Sequence, residues 1–443
     1  MRFRILTAAL AAFAAACSGS SSDDVVDARD AGVRDLGPRE TTIEQLDVEP
    51  EEIVHGLNSE AIYGDNAVMR QTSGGDYVIA YGVVPVSDPK QEVHYATRTG
   101  PNTWTTELVG RPAELVQDAP GTLVGLGFDL VGGVPHIVYA GGDDDDIDLS
   151  PFPTDLELRT KNGATWSSQI LVDTSGEANG TCITGQNYCN FGNVVGTHAA
   201  IKANGAQYAV VYRDTHGGFA DLDFGQADVE LYMSNGGPSQ VDPERSGGPF
   251  ADVAFKNDGS VVMAYNLTRP DEFEDRVGVW VAYGTPGSYE LRRVSSSETT
   301  SRTSLAVASD GTIYLAFFHL DARDLVLATS TDGGDTWTTE AVDESGATGL
   351  HPSLQLDAQD EPVIAYTYCG RTSNRDCPGE LGGDSEVRLA RRENGAWQLY
   401  TVYDGGGAGG VGLFNSLVID ADGKVAIAFQ DATFRDLVFV KER

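Results

Sequence analysis

One phrase returns seven times along this chain, and that repetition constrains the fold more than any other feature. It is a short run of small and β-branched residues closed by an aromatic ring. It reads YVIAY at Tyr77–Tyr81, HIVY at His136–Tyr139, AVVY at Ala209–Tyr212 and VVMAY at Val261–Tyr265, then YLAF at Tyr314–Phe317, VIAY at Val363–Tyr366 and AIAF at Ala426–Phe429. The copies lie about 50 to 70 residues apart, a period that means a repeat architecture. A strand precedes the phrase, clearest in SLAVASDG from Ser304, SLQLDAQD from Ser353 and SLVIDADG from Ser416. A variable loop and a third strand follow it, as in LVLATS from Leu325 and VRLARR from Val387. A fourth strand often opens on Trp: NTWTTELV from Asn102, ATWSSQILV from Ala164, DTWTTEAV from Asp335 and GAWQLYTV from Gly395.

Four short strands per unit, with turn signals between them, make one blade of a β-propeller. A lone four-stranded sheet exposes two apolar faces, and radial stacking buries both. The expected fold is therefore all-β: a seven-bladed propeller of four-stranded antiparallel blades over residues 41–443. The seventh unit has only three strands, the last being LVFVK near Leu437, while TTIEQLDV at Thr41–Val48 has fourth-strand character. That segment is expected to pair with the last blade, closing the ring and removing an open edge. Blade three is the least marked unit, because its fourth strand near Gly236–Val241 has no Trp.

Ser330, Asp332, Gly334, Thr336 and Trp337 stand in the pattern S-x-D-x-G-x-T-W. The segment resembles the Asp box of the BNR/Asp-box propellers of the sialidase superfamily. Worn copies survive as Thr103-Trp104 and Thr165-Trp166, without the Asp. The resemblance implies a structural turn on the side opposite a catalytic site, so it argues fold rather than catalysis.

Export is written at the N-terminus. Arg2 and Arg4 precede an apolar run from Ile5 to Ala16, too short to span a bilayer. Ala14-Ala15-Ala16-Cys17 resembles a bacterial lipoprotein signal, with Ala14 where Leu is usual. The resemblance implies a signal peptide over 1–16 and a lipid on Cys17. Ser18 after it resembles the pattern sent to the outer membrane. A plain secretory signal is the alternative. Residues 17–40, Ser-rich and then charged without apolar period, read as a disordered tether. The other four Cys, Cys182, Cys189, Cys369 and Cys377, allow three connectivities, of which the close pairs Cys182/Cys189 and Cys369/Cys377 are the natural choice. A metal site is the runner-up, though the spacings lack the CxxC form zinc prefers.

The loops from second to third strand and from blade to blade share one face, and they are long. Both Cys pairs fall there, and such loops on a rigid scaffold concentrate binding residues. The first strand begins at that face, with His198, Arg302 and His351 at equivalent positions beside Phe250 and Phe414. Just past the second-strand aromatics come Arg213, Asp214, His319, Tyr368 and Asp431. Together these are the candidate ligand-binding residues around the channel mouth. No HExxH or paired spacing marks a metal. Asp143, Asp144, Asp145, Asp146 and Asp148 are a possible Ca²⁺ site, although the run lacks the spacing and Gly of an EF-hand loop and also reads as a solvated acidic loop.

The net charge of −36 excludes a nucleic-acid partner, which needs clustered Lys and Arg. Two functions stay open. One is a non-catalytic propeller tethered to the cell envelope, binding glycan, peptide or an envelope protein, with the lipid holding it to the membrane and no required cofactor. The other is a sialidase-like glycoside hydrolase. That class needs an arginine triad, a Tyr/Glu nucleophile pair and an acid/base Asp. Arg213, Arg302, Tyr368, Asp214 and Asp431 are candidates, but the early Arg-Ile-Pro motif is absent and no third Arg stands out.

Overall fold

The computed structural model describes residues 43–54, 61–85, 91–113, 125–142, 154–173, 194–215, 227–242, 247–267, 276–369, 385–393, 395–407 and 410–443. Within them the strands form seven sheets arranged as the blades of a propeller. Blade one runs over strands Ala61–Gln71, Tyr77–Pro85, Glu92–Gly100 and Thr103–Gly110, paired in that order. Blades two to six repeat the scheme, and blade three does form its fourth strand, Gly237–Asp242.

Blade seven has Val411–Ile419, Val425–Asp431 and Asp436–Glu442, and the strand Val48–Val54 completes it, antiparallel to the last. The N-terminal closure is as expected, but the segment is displaced along the chain. Glu52 lies opposite Val438, whereas Ile43–Gln45 runs parallel to the outer strand of blade six, with Ile43 opposite Leu399. Thr41–Val48 has fourth-strand character and precedes the first unit. That character belongs partly to this fifth strand of blade six, and Glu49 to Glu52 hid the true closing strand. Glu51 is 3 % exposed and takes charge-assisted bonds from Arg98 and the Trp104 indole, so this one carboxylate of the run is paired inward while Glu49 and Glu52 stay exposed.

The aromatic ending each copy of the repeated phrase explains its persistence. Tyr81, Tyr139, Tyr212, Tyr265, Phe317, Tyr366 and Phe429 are all at most 1 % exposed, wedged between blades. A buried phenol needs an acceptor. Tyr265 Oη donates to Asp242 at 2.7 Å and Tyr366 Oη to Asp343 at 2.7 Å, each Asp ending the outer strand of the preceding blade. Arg276 and Arg388 then pair with those same carboxylates.

The serines of the SL phrases tie the inner strands to one another. Backbone N–H groups of Met69, Leu417, Leu354 and Leu305 donate to Ser416 Oγ, Ser353 Oγ, Ser304 Oγ and Asp252 Oδ2 of the preceding blade at 2.8–3.0 Å. Ala203 N–H donates likewise to Asp129 Oδ2 at 2.8 Å, and Arg70 Nε binds Asp129 Oδ1 at 2.9 Å between blades one and two. An inner strand has a free edge on the channel side, and each such bond, worth about 1 kcal/mol net, satisfies one of its amides.

Candidate functional site

The long-loop end of the channel is built from an irregular start to each inner strand. In five blades a Gly at positive φ is followed two residues later by a non-Gly residue also at positive φ. The pairs are Gly64 with Asn66 (φ 51°), Gly196 with His198 (53°), Gly248 with Phe250 (61°), Gly349 with His351 (48°) and Gly412 with Phe414 (57°). The strand ladder slips at this point in four of those blades. A left-handed residue inside a bulge re-aims its side chain, here inward and across the channel. The glycines are obligatory at this packing. A Cβ on Gly349 would lie 2.6 Å from Leu325 Cα. This repeated G-x-[N/H/F] was visible in the chain and is the signal that sequence reasoning missed; Asn66 was missed with it.

These side chains meet one another. His198 packs edge-on to Phe250 at 5.2 Å, and His351 tilts against Phe414 at 5.0 Å. Arg302, the blade-five equivalent, sits with Cζ 5.4 Å over the Phe414 ring and donates from Nη2 to Asn66 Oδ1 at 2.7 Å. The structure thus joins residues 236 positions apart at one mouth. Both imidazoles are held neutral. Burial first, then the Arg213 and Arg302 charges, push His198 down to about 3, and burial with Arg302 does the same to His351. Burial also lowers Arg213 and Arg302 to about 10. Buried polar atoms without a hydrogen bond gather here too: His351 Nδ1, Asn415 Oδ1 and Thr197 Oγ1. The mouth offers aromatic surface, neutral imidazoles and a compact guanidinium.

His198, Arg213, Arg302 and His351 lie in one electrostatic neighbourhood. The other candidates are held locally at second-strand ends. His319 Nδ1 accepts from Ala322 N–H, closing its own turn. The Tyr368 ring lies 3.5 Å under Arg388 Cζ. Asp214 is buried opposite Asp228. Asp431 accepts from Phe434 N–H, and burial raises it to about 6. The structure thus places four of the eight in contact or in one electrostatic neighbourhood at the mouth, while Asp214, His319, Tyr368 and Asp431 are engaged by neighbours of their own. The guanidinium groups of Arg276 and Arg388 are occupied by Asp242 and Asp343, so neither is offered to the mouth.

The Asp box is closed as its pattern implies. Asp332 accepts from the Ser330 hydroxyl at 2.8 Å, the Thr336 N–H at 2.9 Å and the Thr336 hydroxyl at 2.5 Å, and Trp337 Nε1 donates to Gly334 O at 3.0 Å. It forms the turn between the third and fourth strands of blade five, at the end away from the long loops. Cys17, Cys182, Cys189, Cys377 and the acidic run Asp143–Asp146 with Asp148 lie outside the described residues; Cys369 is buried against Phe318, Leu320, Ala347 and Leu350. Among the described residues no group of three or more His, Cys, Asp or Glu is placed to hold a metal.

No family model matches the chain, and no curated protein matches it in sequence. Solved structures similar to it in shape include a protein of unknown function from Dyadobacter fermentans, 13% identical over 89% of this chain and 98% of that one, TM-score 0.49. An intramolecular trans-sialidase from Ruminococcus gnavus is 13% identical over 89% and 97%, TM-score 0.43. An alpha-L-arabinanase from Penicillium chrysogenum is 14% identical over 77% and 98%, TM-score 0.45. At these values no residue of their sites is carried onto this chain, and the seven-bladed fold rests on the sheets themselves.

Proposed function

We propose that the protein is an envelope-tethered, non-catalytic binding module that takes a glycan at the long-loop mouth. The observation that carries this is the cross-channel group of Arg302, Asn66, Phe414 and His351, anchored on backbone at positive φ. Strained backbone persists where surrounding structure over-determines it, and it concentrates at ligand sites. Aromatic faces suit the apolar side of a sugar ring, while guanidinium, amide and neutral imidazole suit its hydroxyls. The lipid on Cys17 would hold the module to the outer membrane, and Cys182–Cys189 and Cys369–Cys377 disulfides would staple the loops around the mouth.

A glycan array probed with residues 41–443 tests the reading. Binding is expected, and Arg302→Ala and Phe414→Ala are each expected to weaken it at least about tenfold, the 1.4 kcal/mol of one good contact. Capture of only a peptide or an envelope protein, or equal binding by both variants, would count against it. Membrane release of Cys17→Ser tests the anchor. One observation favours a sialidase-like hydrolase as second reading: Arg213 and Arg302 both act on His198. Turnover of a fluorogenic sialoside, lost in Tyr368→Phe, would establish it.

A further inference from the structure

The opposite end of the channel holds a separate cavity of 610 Å³, inside the roughly 300–1,000 Å³ range of small-molecule sites. Its lining comes from the far ends of inner strands in blades six, seven, one, two and three, so it spans the channel rather than one blade junction. Leu130, Leu417 and Ile419 supply apolar wall, and Arg70, Asp129 and Lys202 supply charge.

The lining carries two cations, Arg70 and Lys202, against one carboxylate, Asp129, and they differ in how much hydrogen-bonding capacity is used. Asp129 is spent: Oδ1 takes Arg70 Nε and Leu130 N–H, and Oδ2 takes Ala203 N–H. Nearby Asp252 takes Val253 N–H on Oδ1 and Leu305 N–H on Oδ2. The cations retain donors. Arg70 uses Nε on Asp129 and Nη1 on Met69 O, leaving Nη2 without an acceptor among the described residues. Lys202 acts on Asp129 and Asp252 through their fields, and its ammonium makes no hydrogen bond among the described residues. The rim glycines 132 and 133 keep access open; a Cβ on Gly133 would meet nothing within 4 Å.

We propose that this cavity binds a small anion, an organic acid being the occupant that would use both the unspent donors and the apolar wall. Asp129 and Asp252 already accept hydrogen bonds on both oxygens, whereas the Arg70 Nη2 and Lys202 ammonium hydrogens find no acceptor among the described residues, so the larger unused capacity is donor capacity. In a chain of net charge −36, two such donors in one concavity focus positive field where the rest of the surface repels anions. The site is independent of the long-loop mouth.

Calorimetric titration of the full chain with succinate, with inorganic phosphate and with uncharged succinamide tests it. Saturable binding of succinate or phosphate is expected, absent for succinamide and weakened by added NaCl; whichever of the two binds identifies the anion class. Lys202→Gln is expected to weaken it about tenfold, with Lys202→Arg restoring most of it. The same thermal midpoint for both variants would exclude misfolding. Absence of saturable binding by either anion, or equal affinity in Lys202→Gln, would overturn the proposal. So would a soaked crystal showing the anion away from Arg70 and Lys202.

Discussion

The two ends of the propeller are made from the same strands yet differ in kind. At the short-turn end, carboxylates accept backbone and hydroxyl hydrogens. Asp258, Asp310, Asp332 and Asp420 each hold a turn, and each is lowered below its ordinary value, Asp332 to about 2. At the long-loop end, three carboxylates are raised by burial. Glu298 and Asp324 reach about 7, with like charges adding to the effect, and Asp431 about 6. Backbone strain leans the same way: five non-Gly residues at positive φ crowd the long-loop mouth, whereas Asn102 and Asp360 are the ones in short turns among the described residues. A group that stabilises its fold is satisfied where it stands. A group held at a cost marks where something other than stability has set the residue.

Matched glycines give the sharpest way to break this comparison. Gly349 at the long-loop end (φ 98°) has Leu325 backbone where its Cβ would sit, whereas Gly311 in a short turn (φ 91°) has nothing within 4 Å. Gly349→Ala is expected to cost about 4 kcal/mol or more, combining a backbone clash with positive-φ strain. Gly311→Ala is expected to cost about 1–2 kcal/mol from conformation alone. Urea unfolding measures both, and equal losses would mean that the two ends are packed alike.

Next in size is Asp324→Asn. A carboxyl raised in the fold binds its proton more tightly folded than unfolded, so its ionised form costs stability above the folded value. The cost is present above about pH 7 and fades as the pH falls toward the ordinary Asp range. The variant is therefore expected to be more stable than the parent by about 1–3 kcal/mol at pH 8, with less than half of that gain left at pH 5. A gain that persists undiminished at pH 5 would assign the effect to packing rather than charge.

The short-turn end was legible in the sequence because it is built from local rules. The Asp box, the D-x-G turns and the recurring aromatic all act within a few residues or on an adjoining blade. Even the serines of the SL phrases could be seen to repeat, though their role, an amide of the next blade, depends on geometry that no spacing reveals. The long-loop mouth was legible only in part. His198, Arg302 and His351 were found by equivalence, but Asn66 was overlooked because its left-handed bulge reads as ordinary turn sequence. The closing strand was placed early because Glu49–Glu52 looks like solvent-facing sequence until Arg98 and Trp104 are seen to receive Glu51. Asp214, His319, Tyr368 and Asp431 were placed in the ring because symmetry gives their end of the blade but not the neighbours that engage their side chains.

The smallest effect expected is also the one that separates strain from charge at the mouth. His198 is lowered to about 3, so between that value and 6.5 the unfolded chain binds a proton that the folded chain refuses. Stability that depends on His198 is thus full above about pH 6.5 and is lost as the pH falls. Asparagine tolerates the left-handed conformation better than histidine and does not titrate, but it gives up the edge-on contact with Phe250. At pH 8 these differences are expected to cancel to within about 1 kcal/mol. At pH 5 the His198→Asn variant is expected to be the more stable by about 1–2 kcal/mol, the opposite pH trend to Asp324→Asn. Thermal melts of the parent and both variants at the two pH values read the pair together. If His198→Asn gained nothing on acidification, His198 would be accepting its proton in the folded state, and a neutral imidazole could no longer be part of the ligand surface.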